Sequence, residues 1–213
     1  MLLDPVAAGC QHPGMSWLRD WKDRRAVAKW ERAGRPVPPP HVIKQRNLRE
    51  YAQRFGLDVL VETGTYKGEM IAAMKGDFRK LYSIELSDHF FEDAVQRFCT
   101  EHKITILHGD SGQVLEKLVP KLDGPTLFWL DGHYSAGMTA RGDKDTPVIE
   151  ELGHILGRDD LRCAILIDDA RCFEGRSEQL YPSLAEVRVL VDEMRPGWTF
   201  EVATDCIRIA PPG

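Results

Sequence analysis

Six carboxylates stand directly after short apolar runs: Glu62 after VLV, Glu85 after LYSI, Asp110 after ITILHG, Asp131 after TLFWL, and Asp168 with Asp169 after CAILI. Runs of this length suit strands buried in a parallel sheet, and in open α/β sheets ligands bind in the crevice beyond the carboxyl ends of the strands. An acid after one strand is unremarkable, and Asp110 with Ser111 reads equally well as a helix cap. Acids after five strands in succession predict a single rim of negative charge, able to attract a cationic group or to accept hydrogen bonds from a ligand amine.

The stretch VLVETGTYKGEM, residues 59–70, predicts how such a ligand is approached. A strand ends at Glu62, Gly64 and Gly68 bracket a tight turn, and the residues that follow have helix-forming composition. Glycine lets a ligand lie against the backbone, and the helix N-terminus adds free N–H groups. A phosphate loop would avoid a carboxylate at this place, so Glu62 favours a ligand with an amine over a pyrophosphate. Tyr66 also stands where the dinucleotide fingerprint needs its middle glycine.

The rest of the chain must position these groups. Charged residues interleaved with Trp17, Leu18, Trp21, Val27 and Trp30 predict a short amphipathic helix, closed by Gly34, Pro36 and the run Pro38 to Pro40, so residues 1–40 read as an N-terminal extension and linker. A second helix is predicted over 41–55, with Val42, Leu48, Tyr51 and Phe55 inward. Strands then alternate with helices, one of them capped by Ser87 and another by Thr146 with Pro147 as its first residue. A terminal pair, WTFEVATDCIRIA, turns at Thr204-Asp205 and must be antiparallel, because a parallel crossover needs a longer connection. The predicted fold class is α/β: a Rossmann-like, doubly wound, seven-stranded mixed sheet whose last pair is antiparallel, with helices on both faces, over residues 41–213.

Composition narrows the partners. A chain of 213 residues with a net charge of −5 argues against a nucleic-acid binder that relies on bulk electrostatics. No apolar stretch is long enough for a bilayer, and the N-terminal segment makes a poor signal peptide. The five cysteines are widely spaced and form no CxxC pair, which fits a reduced cytoplasmic protein. No G-x-S-x-G elbow is present for a serine hydrolase.

Over about residues 41–210 the sequence resembles the class I S-adenosylmethionine (SAM)-dependent methyltransferases. ETGTYKG is similar to that family's first motif, which implies Gly64, Thr65 and Gly68 at the methionine moiety and Glu62 near its amino group. The resemblance further implies Glu85 of IELS at the ribose hydroxyls, and Asp110 of GDSG at the adenine amine with Ser111 beside the ring. A narrower likeness joins the chain to metal-dependent O-methyltransferases of the catechol type and of macrolide and aminocoumarin sugars. That likeness implies Asp131, Asp168 and Asp169 as ligands of Mg²⁺ or another divalent ion, with His133 in place of their base beside Asp131.

A hard cation would lower the pKa of an acceptor hydroxyl, and His133 could take the departing proton. Tyr134, Arg141 and Arg171 stand in loops at the same end as candidates for acceptor contact, with a surface ion pair as the ordinary alternative for each arginine. The expected function is therefore metal-assisted O-methylation of a small molecule such as a sugar or natural product. Residues 1–40 would serve packing, a homodimer contact or cover of the site. Two rival readings are a nicotinamide-dependent oxidoreductase on a similar sheet and a non-catalytic cofactor-fold module that binds a partner protein.

Overall fold

Short β-branched runs separated by glycine turns become strands, and the longer amphipathic stretches become helices. The computed structural model describes residues 16–131, 146–174 and 181–213. Its strands are β1 (Val59–Thr63), β2 (Lys80–Glu85), β3 (Ile104–His108), β4 (Thr126–Leu130), β5 (Cys163–Ile167), β6 (Thr199–Ala203) and β7 (Cys206–Ala210). The helices are α1 (Ser16–Arg32), α2 (His41–Phe55), α3 (Glu69–Met74), α4 (Asp88–Phe98), α5 (Ser111–Leu118), α6 (Val148–Leu156) and α7 (Leu184–Met194). No described helix is long and apolar enough to cross a membrane.

All seven strands join one sheet of order β3-β2-β1-β4-β5-β7-β6. The first five run parallel, and β7 is antiparallel to both β5 and β6. Thr204 and Asp205 link the last pair with φ of 52° and 59°, the left-handed conformations of a type I′ hairpin turn. This is the mixed sheet that the sequence predicts.

Helices cover both faces, so β1, β4 and β5 are buried along their whole length. Successive side chains of a strand point to opposite faces. Phe128 and Ile165 accordingly pack with Leu115, Leu152, Ile155, Val187 and Val191 of α5, α6 and α7, while Trp129 and Leu166 pack with Leu48, Tyr51, Ile71, Met74 and Phe98 of α2, α3 and α4. Helix α6 begins at Val148, one residue later than the sequence predicts, with Thr146 Oγ1 accepting from the Val148 N–H at 3.4 Å.

Helix α2 has the predicted bounds, set by Pro40 before it and a left-handed Gly56 after it. Val27 and Trp30 of α1 pack on Val42 and Ile43 at its start. Farther along, Asn47 Nδ2 donates to Thr204 Oγ1 at 3.0 Å, and Arg208 Nη2 donates to Asn47 Oδ1 at 3.1 Å. These bonds tie α2 to the β6–β7 hairpin, and the helix lies against β4 and β5.

The turn after β1 is the most constrained part of the backbone. Gly64, Tyr66 and Gly68 all take positive φ, at 82°, 46° and 67°. For a tyrosine this conformation is costly, and it persists only where the surroundings enforce it. The Tyr66 N–H is held by Glu85 Oε2 at 2.7 Å, and its ring meets Phe90 edge-on at 4.8 Å. At Gly68 a Cβ would fall 2.8 Å from Phe98 Cε2 of α4. We predict that Gly68→Ala destabilises the protein by about 1–3 kcal/mol, the cost of left-handed strain plus a displaced ring. Urea unfolding of the two proteins measures it, with a change in midpoint at unchanged slope as the expected result.

Candidate functional site

Parallel register carries the acids to one edge of the sheet. The Asp131 N–H bonds to Thr63 O at 3.1 Å, and the Asp168 N–H bonds to Leu130 O at 3.0 Å, so both residues sit one step past neighbouring strand ends. The Gly109 N–H reaches Glu85 O at 2.9 Å, which brings Asp110 to the same edge. Glu62, Glu85, Asp110, Asp131, Asp168 and Asp169 therefore share one rim. Strand order reverses between β1 and β4, the place where α/β sheets open a crevice for ligands.

On the β1–β2–β3 side, Glu62 is almost wholly buried, at 2% exposure. Ser83 of β2 stands beside it in register and donates to Glu62 Oε2 at 2.5 Å, with Thr65 Oγ1 a further 2.6 Å from Ser83 Oγ. Burial pushes the Glu62 carboxyl up to about 8, the Ser83 bond acts against this, and the charge of Glu85 adds to it. No described Lys or Arg forms an ion pair with Glu62. Glu85 is tied to backbone, Oε2 accepting from Tyr66 N–H and Oε1 from Ser87 N–H at 2.9 Å. Asp110 caps α5 by accepting from the Gln113 N–H at 3.2 Å, and Ser111 is the first residue of that helix.

The β4–β5 side is built differently. Lys44, on the first turns of α2, forms a charged hydrogen bond to Asp168 Oδ2 and lies 3.6 Å from Asp169 Oδ1. Asp168 is fully buried, and its Oδ1 has no hydrogen-bond partner among the described residues. Desolvation alone would lower Lys44. The charge and hydrogen bond of Asp168, together with Asp131 and Asp169, outweigh it and hold the ammonium above its ordinary 10.5. Asp169 takes a left-handed φ of 53° and accepts from Arg171 Nη1 at 2.8 Å. The same guanidinium binds Asp205 in the β6–β7 turn, and Asp205 Oδ1 accepts from the Arg171 N–H at 3.0 Å.

The structure thus brings together every predicted acid. Arg171 is at the rim, in the ion-pair role weighed as its alternative. His133, Tyr134 and Arg141 lie outside the described residues. Two groups that sequence reasoning passed over are Ser83, hidden inside a strand, and Lys44, one of several cations on α2 that nothing local distinguishes.

A divalent ion among Asp131, Asp168 and Asp169 does not fit this arrangement. Lys44 is bonded to Asp168, lies 3.6 Å from Asp169 and feels the charge of Asp131, and Asp169 is further engaged by a guanidinium. No group of three His, Cys, Asp or Glu among the described residues is placed to hold a metal. Among the described residues, the cations paired with Asp168 and Asp169 are Lys44 and Arg171.

No protein-family model matches the sequence, and no curated protein does. Solved structures match in fold. A Podospora anserina methyltransferase, PaMTH1, bound to S-adenosylhomocysteine (SAH), is 14% identical with a TM-score of 0.54, covering 98% of this chain and 100% of that one. The O-methyltransferase TomG of Streptomyces achromogenes, involved in tomaymycin synthesis and solved with SAM, is 14% identical with a TM-score of 0.57 and 89% of each chain covered. A Bacillus cereus O-methyltransferase with SAH is 13% identical with a TM-score of 0.57, covering 90% of this chain and 91% of that one. This likeness establishes that the chain has the class I SAM-dependent methyltransferase fold.

The raised Glu62 pKa has a sign that can be tested. The folded state holds a proton that the unfolded state releases near 4.5, so this contribution is complete below 4.5 and is lost as pH rises through about 8. The ligand-free protein is expected to lose on the order of a few kcal/mol across that window relative to Glu62→Gln, which has no proton to lose. Urea unfolding of both proteins at a series of pH values measures the difference. Parallel curves would show that Glu62 is not held protonated.

Proposed function

We propose that the chain is a SAM-dependent methyltransferase acting on a hydroxyl of a small molecule. The observation that carries this reading is Glu62, a buried carboxyl at the switch point whose described neighbours supply a serine and a second acid but no cation. A ligand ammonium supplies what is missing there, and SAM carries one beside its sulfonium. The fold shared with SAM- and SAH-bound methyltransferases, including two O-methyltransferases, supports the choice of ligand and of a hydroxyl acceptor.

In this reading Glu62 takes the amino group of the methionine end, with Gly64, Thr65 and Gly68 forming the wall of backbone against it. Glu85 holds the ribose hydroxyls. Its two backbone bonds leave a lone pair on each oxygen, so it can order the turn and accept from a sugar at once. Asp110 and Ser111 border the adenine at the start of α5. When bound, SAM supplies a methyl group on a sulfonium for in-line transfer to an acceptor oxygen, a reaction in which alignment does most of the work. The β4–β5 side faces the acceptor. Asp131, or His133 two residues on, takes the hydroxyl proton as the oxygen–carbon bond forms and the sulfur retains the pair of the bond that breaks. Arg171 acts by fixing Asp169 and the β6–β7 turn.

Calorimetric titration with SAM tests the proposal. With Glu62 protonated up to about pH 8, pairing to an ammonium at pH 7 should release close to one proton, seen as a dependence of the heat on the buffer's ionisation enthalpy. Glu62→Gln should bind about tenfold or more weakly, the loss of a charged hydrogen bond of at least about 1.5 kcal/mol, without proton release. Absence of binding at millimolar SAM would remove the proposal.

A further inference from the structure

We propose that Lys44 is a built-in cation that replaces the divalent metal of the acceptor site, so that the protein positions its acceptor hydroxyl with an ammonium and binds no divalent ion there. The role given to Lys44 rests on the methyl-transfer reading; its occupation of the acidic cradle does not.

The geometry supports substitution over coexistence. Lys44 reaches Asp168 from a helix that lies across β4 and β5, and the same ammonium is 3.6 Å from Asp169. Its side chain is 17% exposed, while that of Asp168 is 1% exposed. The helix that carries Lys44 is held in place on one side by Val42 and Ile43 against α1 and on the other by Asn47 to Thr204 and Arg208. A hard divalent ion bound here would draw on the oxygens that face these cations, with Asp168 Oδ1 the buried oxygen that has no partner among the described residues. Here Asp168 Oδ2 is bonded to Lys44 and Asp169 Oδ1 to Arg171 Nη1 at 2.8 Å, so a metal taking those two oxygens would have to displace two protein cations, and one on Asp168 Oδ1 would sit against the Lys44 charge.

An ammonium performs part of a metal's task. It donates hydrogen bonds to an acceptor oxygen and stabilises the negative charge that grows there as the proton leaves. It offers no coordination sphere, so Lys44 works as a positioning residue, beside a base that takes the proton.

Manganous ion, observed directly by electron paramagnetic resonance, tests this without a known acceptor. Wild-type protein is expected to bind no Mn²⁺ at millimolar concentration. Lys44→Ala, which uncovers the carboxylates, should bind it at least about tenfold more tightly, a gap of about 1.4 kcal/mol. Because loss of Lys44 strands a buried acid, Lys44→Gln, which is shorter by one atom and uncharged but keeps an amide with two donor hydrogens, serves as a second variant and should also gain binding. SAM affinity in each folded variant should stay within about twofold of wild type, as expected for a separate site. Tight Mn²⁺ binding by the wild type overturns the proposal, and so does a folded Lys44→Ala that gains none. Failure of the wild type to bind SAM would instead sink the methyl-transfer reading and leave the metal result to stand by itself.

Discussion

A sheet with an acid at or within one residue of the carboxyl end of four of its five parallel strands, and another two residues beyond β3, must dispose of their charge, because carboxylates crowded at a half-buried edge repel one another and are poorly solvated. The structure answers with a different neutraliser at each position. Burial shifts Glu62 toward its neutral form, Glu85 takes two backbone N–H groups, and Asp110 caps the N-terminus of a helix. Asp168 receives Lys44, while Asp169 and Asp205 share Arg171. Of these compensations, the proton on Glu62 is the one that a ligand can most readily replace.

That requirement explains features of the backbone that look arbitrary by themselves. Tyr66 occupies a conformation normally left to glycine, and the bond from its N–H to Glu85 helps hold it there. The hairpin turn at Thr204-Asp205 lies far from the switch point in the order of strands, yet it reaches both α2, through Asn47, and the rim, through Arg171. One turn thus contacts both the helix that carries Lys44 and the loop that carries Asp169.

Much of the fold was legible because its signals are local. Short apolar runs gave the strands, Pro40 and Gly56 bounded α2, and the two-residue gap between the final runs required an antiparallel pair. The shared rim was legible as well, since parallel strands must align their carboxyl ends. The cation was not. Lys44 and Asp168 are 124 residues apart, and nothing near Lys44 sets it apart from the other basic residues of its helix. A cluster of aspartates reads the same in sequence whether the charge at its centre is a metal or an ammonium, which is why the resemblance to metal-dependent enzymes pointed to Mg²⁺. Ser83 was hidden for a simpler reason: in a strand it reads as an ordinary polar interruption, and only the register beside Glu62 gives it a role.

The account turns on where the compensating cations sit, and a crystal structure of the protein with SAH shows this most directly. The account predicts the amino group of the ligand within about 3 Å of Glu62, with Lys44 still seated on Asp168. A ligand whose amino end lies away from Glu62, or a Lys44 swung out to admit an ion between the aspartates, would contradict it.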